Sequence, residues 1–423
     1  MISRYELLGF FNELIGDGLC SSNTLTMSTI CGAKLITPSI ETALCSTLPE
    51  ILENKLPSLS APSHANAQRS QTKMRNILFL LLLLIPLTVV ADSPDVIIDQ
   101  ARLNRLGAAT MPNISEPISF DTEQADAILS ALEIFPPDNP WNIPIDTWPV
   151  AENSAAIIEA IGLGKPLRGN TDMAFVLVPP NQNKIDVKLT SYSTESDSGP
   201  FPVPDNTPIE GWPAAFVRDS STQSLSLEDV QRGKPSLDAD RHGIVVDPVN
   251  RKLYEFYRLT KTDTGWTASQ ASIFDLRSNR LRPDGWTSSD AAGLPIFPAI
   301  VRYDELQRGK IEHALRATFK NTRRAYVYPA THFASSKTDK NLPRMGERFR
   351  LRKNFDTSKF STEVRIVLEA LKRFGMLNAD NGIDWAVSIA PDQRIPVMHD
   401  ELRKVKGSDF EVVVPPPGYT PPK

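Results

Sequence analysis

HGIVVDPVNRKLYEFYRL, His242 to Leu259, carries the fold class. Two short runs rich in Val, Ile, Leu, Tyr and Phe stand on either side of a Pro- and Asn-bearing link, a spacing that predicts one β-hairpin turning at Asp247 to Asn250. β-Branched and aromatic residues favour extended backbone because their side chains pack well on a pleated surface. The same texture recurs outward from the hairpin. AFVLVPP (174–180), KIDVKLTSY (184–192) and SQASIFDL (269–276) read as strands, followed by KIEHALRATF (310–319), RRAYVYPA (323–330), MLNAD (376–380), WAVSIA (385–390) and DFEVVV (409–414). Helical period is weaker, at VIIDQARLNRLG, TEQADAILSALEIF, NSAAIIEAIG and HDELRKV. It is sustained in TEVRIVLEALKRFG, where Val364, Val367, Leu368 and Leu371 share a face and Gly375 stops the helix. No βα alternation, phosphate-cradling glycine loop or internal repeat is present. The expected fold is mainly β: an antiparallel β-sandwich or jelly roll with a few short peripheral helices and one longer helix near 362–375.

The chain has 423 residues, and MRNILFLLLLLIPLTVVADSP near its first quarter has the three parts of a secretory signal peptide. Lys73 and Arg75 give a basic start, Ile77 to Val90 an apolar stretch, and Val89-Val90-Ala91 a small-residue end. A membrane span needs about 20 apolar residues, and this run is shorter, with Pro86 inside it. The expectation is therefore export with cleavage after Ala91, an uncleaved anchor being the alternative, and no stable membrane span once the signal 74–91 is removed. Translation from Met74 would make residues 1–73 an upstream artefact of start-site choice; the alternative is a disordered extension. The mature chain then divides into a partly helical segment 92–135, one β-rich domain 136–414 and a Pro-rich tail 415–423.

All three cysteines, Cys20, Cys31 and Cys45, precede the signal. The mature chain thus carries no disulfide framework, thiol nucleophile or Cys-ligated metal. A net charge of -4 is near neutral for the length and suggests no nucleic-acid surface. Thirty-five prolines fit a loop-rich β protein better than a helical bundle.

DRHGIVVD, then IFDLRSNRLRPDGWTSSDAAGLPIFPAIVRYDELQRGKIEHALRATFKNTRRAYVYPATHFASS, then LKRFGMLNADNG, together resemble an uncharacterised family of secreted bacterial and fungal proteins that share these blocks. The similarity covers most of Phe135 to Val413. It implies a shared domain and export, and no mechanism.

The chemistry is read from scarce residue types. Four histidines follow residue 91: His242, His313, His332 and His399. Asp240, Arg241 and His242 stand where a loop enters a strand, and a carboxylate and guanidinium beside an imidazole can tune it for acid or base work; a salt bridge at the strand entry is the plainer account. His242, His313 and His332 on one face, with Glu312 or Asp304, would make a divalent metal site, although no HxH or HExxH spacing supports it and no cofactor is required. The irregular run DLRSNRLRPDGWTSSDAAGLPIFP, Asp275 to Pro298, gathers Asp275, Arg277, Asn279, Arg282, Asp284, Trp286 and Asp290, and long irregular runs in compact domains are commonly functional.

Indole beside charged groups suits a sugar, so Trp286, Asp284, Asp290 and Arg324 are candidate contacts for an extracellular polysaccharide, with Trp141, Trp148, Trp212 and Trp266 as further platforms or simply core. Asp275 with Asp304, or Glu305 with Glu312, could pair for glycoside hydrolysis. His242 with Tyr303 and Arg302 or Arg324 could serve a polysaccharide lyase. Arg348, Arg350 and Arg352 form either a solvated strand face or a basic row for an anionic glycan, and NADNG a turn or a calcium loop through Asp380 and Asn381. Serine catalysis lacks a GxSxG elbow. The catalytic candidates are Asp240, Arg241, His242, Asp275, Arg277, Arg302, Asp304, His313 and His332. A non-catalytic carbohydrate- or envelope-binding module is the alternative.

Overall fold

The hairpin forms where its residues require it. In a computed structural model that describes residues 98–216 and 224–422, β5 (Gly243–Asp247) pairs antiparallel with β6 (Lys252–Tyr257), from Gly243 opposite Phe256 to Asp247 opposite Lys252. The turn is closed by Asp247, whose carboxylate accepts the Asn250 amide hydrogen at 2.9 Å and its side-chain hydrogen at 2.7 Å. This is the local competition for backbone that makes Asp and Asn turn residues. The expected signal peptide 74–91 and the preceding segment 1–73 lie outside the described residues.

Fourteen strands, numbered in chain order, are found among the described residues. The hairpin continues into β9 (Gln270–Asp275) on one side and, on the other, into β3 (Val176–Leu177) and the edge strand β1 (Ile118–Ser119). A second sheet has six strands in the order β14 (Phe410–Val413), β11 (Arg348–Leu351), β12 (Met376–Asn381), β10 (Leu315–Phe319), β13 (Ala386–Ile389), β2 (Arg168–Thr171). A small third sheet joins β4 (Val187–Leu189), β8 (Gly265–Ala268) and β7 (Thr260–Thr262).

The protein is mainly β, but its sheets are mixed where antiparallel ones were expected. β3 and β5, β10 and β12, β13 and β2, and β4 and β8 run parallel. Parallel neighbours need a long return connection. The link from β10 to β12 supplies one by carrying β11 and the helix Thr362–Arg373 between them.

Alternation along β5 explains why the first sheet is buried on both faces. Ile244 and Val246 enter the larger core, which they share with Leu315, Phe349, Leu377 and Val387 of the six-stranded sheet. Val245 enters a smaller core with Phe201, Phe256 and Trp266. Successive side chains of a strand point to opposite faces. The predicted long helix spans Thr362–Arg373 and drives Val364, Val367, Leu368 and Leu371 into the larger core. It ends at Gly375, with φ of 69°, where an added Cβ would stand 2.3 Å from the Phe349 carbonyl oxygen. Truncating one such buried leucine to alanine costs about 2–5 kcal/mol.

Two local expectations are corrected, at RRAYVYPA and at the arginines of β11, and one helix not marked in the sequence is found. RRAYVYPA makes only an isolated bridge between Tyr326 and Met345. YDELQR is helical, Tyr303–Arg308, ended by Gly309 at φ of 80°. Arg348 and Arg350 are buried rather than solvated: Arg348 donates to the Pro140 and Phe374 carbonyls, and Arg350 binds Glu411 at 2.5 Å. Internal carbonyls and a carboxylate thus replace water around both guanidinium groups.

A candidate acid site where the two large sheets meet

His242 sits one residue before β5, on a chain bent by Arg241 in the left-handed region at φ of 52°. That conformation is uncommon for a non-glycine residue. The Arg241 guanidinium holds it by donating to the Val230, Gln231 and Leu259 carbonyls. Glu210 accepts both the His242 amide hydrogen, at 3.2 Å, and its Nδ1 hydrogen, at 2.8 Å. Nε2 lies 3.0 Å from the Ser289 carbonyl oxygen. A carbonyl only accepts, so Nε2 also carries hydrogen and the ring is an imidazolium. Burial alone would lower its pKa, but Glu210 and Asp290 overcome this and raise it to about 10.

From the six-stranded sheet, Arg316 on β10 donates to both oxygens of Asp290, at 2.5 and 2.7 Å, and to Ser388 Oγ of β13 at 2.9 Å. Asp290 is wholly buried and is brought there by its loop, which docks on β12 through the Ala292 amide to the Ala379 carbonyl at 2.9 Å. The β10–β12 register shifts between Ala317 and Thr318, setting Thr318 opposite Asp380. Bulges of this kind re-aim side chains. The Asp380 carboxylate lies 3.8 Å from the Arg316 guanidinium, and His242, Asp290 and Asp380 each bring one atom to within 4.8 Å of the others.

Two further carboxylates complete the group. Asp172 follows β2, and its buried Oδ1 has no hydrogen-bond partner among the described residues. Glu255, in the middle of β6, accepts the Ile296 and Phe297 amide hydrogens at 2.8–3.0 Å. Burial pushes Asp172 up to about 7, helped by the Glu210 charge and opposed by Arg316 and His242. Burial, then the Asp290 charge, raises Asp380 to about 7 against the same two cations. Glu255 rises to about 7 by burial against its two amide donors. Glu210 moves the other way, because His242 outweighs burial and lowers it. Asp172, Glu210 and Asp380 are only partly buried, so this end of the group meets solvent.

Rings border it at His242 and next to Asp290. Tyr257 packs 5.9 Å from the His242 ring and 6.5 Å from Tyr192, with its hydroxyl 3.4 Å from Asp240. Beside Asp290, His332 binds the Ala291 carbonyl through Nδ1 at 2.7 Å and lies against Phe333.

Of the sequence candidates, His242 and Asp290 meet, and Asp240 stands at the rim. The others go elsewhere. Asp275 and Arg277 pair with each other at 3.0 Å on the surface, where Lys252 joins them. Arg302, Asp304 and His313 belong to a separate buried cluster centred on Glu305, which receives Arg302 at 2.6 Å and His313 Nε2 at 2.8 Å. Arg105 and Lys310 hold Glu312 apart from Glu305. Trp286 lies beneath Arg282, Asp284 accepts the Tyr326 hydroxyl at 2.6 Å, and Arg324 covers Phe333. Trp141 and Trp266 are core residues.

The expected three-histidine metal group does not form, because His313 and His332 are committed to Glu305 and Ala291. The set that could hold a divalent cation is His242, Asp290 and Asp380. It fits one poorly. Arg316 already occupies both Asp290 oxygens, and both His242 nitrogens donate elsewhere, so a cation would have to displace a guanidinium.

Arg316, Asp172, Glu210 and Glu255 are not marked in the sequence, Glu255 being one residue of the hairpin's second strand. Arg316 was read only as part of a strand, and GNTDMAF and IEGWP carry no pattern that marks their acids. Two surface hollows lie away from the group, one of about 580 Å³ beside the helix Thr362–Arg373 and one of about 270 Å³ beside the hairpin turn. Comparisons of the chain with family models, curated proteins and solved structures find no match.

Proposed function

We propose that the protein is exported through residues 74–91 and cleaves extracellular polysaccharide by acid–base chemistry, with Asp172 and Asp380 as the acid–base pair. The observation that carries this reading is that both are partly exposed carboxyls raised to about 7 beside the same two buried cations. Near neutral pH such a pair holds one proton and one negative charge in a substantial fraction of molecules. General acid–base catalysis needs that state.

In hydrolysis the protonated carboxyl gives its hydrogen to the glycosidic oxygen as the C–O bond breaks. The ionised one takes a hydrogen from the water whose oxygen forms the new bond at the anomeric carbon. Arg316, Asp290, His242 and Glu210 are positioning residues: saturated by one another, they fix the field in which the pair titrates. Elimination from an acidic sugar would use the same pair. The Tyr257 and Tyr192 rings at the rim support a sugar ligand, whose C–H faces pack on aromatic surfaces. A sandwich-like layering of the two large sheets around their shared core belongs to the same proposal.

A product assay over a panel of polysaccharides tests it, scoring new reducing ends and unsaturated products. Turnover that disappears in Asp380→Asn and in Asp172→Asn, with the fold retained, is the expected result. Binding without turnover, unchanged in both variants, would instead establish a non-catalytic binding module.

A further inference from the structure

Next to the acid site runs a strip of rings that the chemistry above does not use. His332, Phe333 and Tyr326 follow one another with centroid separations of 5.7 and 6.2 Å and planes inclined by only 4° and 21°. The strip is tied to the segments that carry both inner carboxylates: His332 Nδ1 donates to Ala291, beside Asp290, and the Asn381 side chain, beside Asp380, donates to the Ala334 carbonyl at 3.0 Å. All three rings are half-buried and so present an edge or face to solvent.

Over the middle ring the exposed Arg324 guanidinium lies 5.5 Å from the Phe333 ring centre, and no carboxylate among the described residues pairs with it. Its backbone amide donates to the carbonyl of Lys337, which fixes the segment that carries it, while the Lys337 ammonium binds Asn321. Arginine stacked on an aromatic ring keeps its planar fork of donors free for a carboxylate. Asp284 is the acid bonded to the strip, accepting the Tyr326 hydroxyl at 2.6 Å.

We propose that Phe333, Tyr326 and Arg324 form a saccharide subsite for an acidic sugar, one that seats a uronate residue of the chain whose neighbouring linkage lies over Asp380. This rests on the polysaccharide reading and adds the substrate class to it. The rings take the apolar face of the sugar, and Arg324 takes its carboxylate.

Affinity electrophoresis of the full chain through gels containing polygalacturonate or a neutral glucan decides it, using wild type, Arg324→Gln, Arg324→Lys and Asp380→Asn. Arg324 is exposed, so its replacement leaves the fold intact. Wild type and Asp380→Asn are expected to be retarded by polygalacturonate. Arg324→Gln should bind it about tenfold more weakly, the factor one charge-assisted hydrogen bond is worth, with retardation by the glucan unchanged and part of the loss restored in Arg324→Lys. If Arg324→Gln binds polygalacturonate like wild type while Asp380→Asn has lost turnover, the subsite is wrong and the acid–base reading survives. If wild type is not retarded by polygalacturonate, the subsite is wrong; the acid–base reading falls only if turnover is absent over the whole polysaccharide panel.

Discussion

Around His313 the fold sets two arginines and an imidazole against two carboxylates: Arg302, Arg308 and His313 surround Asp304 and Glu305. Around His242 the balance is reversed, with five carboxylates, Asp172, Glu210, Glu255, Asp290 and Asp380, facing two cations. The consequence appears in the proton affinities. Burial would raise both acids; Arg302 and His313 hold Glu305 down at about 2, whereas Asp304 stays raised by burial and by the Glu305 charge beside it. In the His242 group the cations suffice for Glu210, and three other acids rise to about 7. A buried cluster short of cations makes up the difference with protons, and those protons are exchangeable near neutral pH. An excess of acid, rather than histidine beside acid, is what separates the proton affinities of the two groups.

The severest way to break this comparison is Arg316→Met, which strands Asp290 as a buried, unpaired charge. Such losses cost about 3–5 kcal/mol. Urea unfolding should show that loss together with absent turnover, whereas Arg302→Met should lose comparable stability while its folded fraction keeps full turnover per molecule. Equal loss of turnover in both would erase the distinction between the clusters.

Asp380→Asn and Asp172→Asn sharpen it. Turnover should fall about 10²- to 10⁴-fold, the usual worth of a general acid or base, while stability at pH 7 stays level or rises because a carboxyl that resists ionisation has gone. A large drop in melting temperature would instead make either residue a structural ion.

The pH dependence of stability gives a smaller effect, opposite in sign for Glu305 and for the three raised acids of the His242 group. Asp172, Glu255 and Asp380 have raised folded pKa values, so the native state holds more protons than the unfolded chain between about pH 4 and 7. They make stability fall as pH rises through that window, and Asp380→Asn should flatten the fall. Glu305, with its depressed value, contributes stability present above about pH 4.3 and lost as pH drops towards 2. His242 contributes stability that is complete below about pH 6.5 and lost as pH rises through 10. Denaturant midpoints across pH 2–11 read all three windows. Smallest of all, Asp275→Ala removes a surface ion pair and should change stability by no more than about 1 kcal/mol, with turnover untouched.

The hairpin, the long helix and most core strands were legible because local period and burial agree in them. Strand direction was not, since parallel pairing depends on where long connections return. Within the site, His242 announced itself as a scarce imidazole at a strand entry, and Asp290 as an acid in a packed irregular run. Asp380 looked like part of a turn in NADNG but lies in β12, whose length is set by pairing with β10. Arg316 occupies an alternating strand position at which a buried arginine has no sequence signature. Its meaning comes only from Asp290, 26 positions earlier in the chain.

Glu255 gives the loop from Asp275 to Pro298 an unusual mechanical property. Because its carboxylate grips the Ile296 and Phe297 amides from the middle of β6, lifting that segment would leave an acid facing an apolar interior with nothing to bind. The end of the loop is thus pegged to the central strand and cannot peel away like a flap. Hydrogen exchange at Ile296 and Phe297 should be as slow as in the sheet itself.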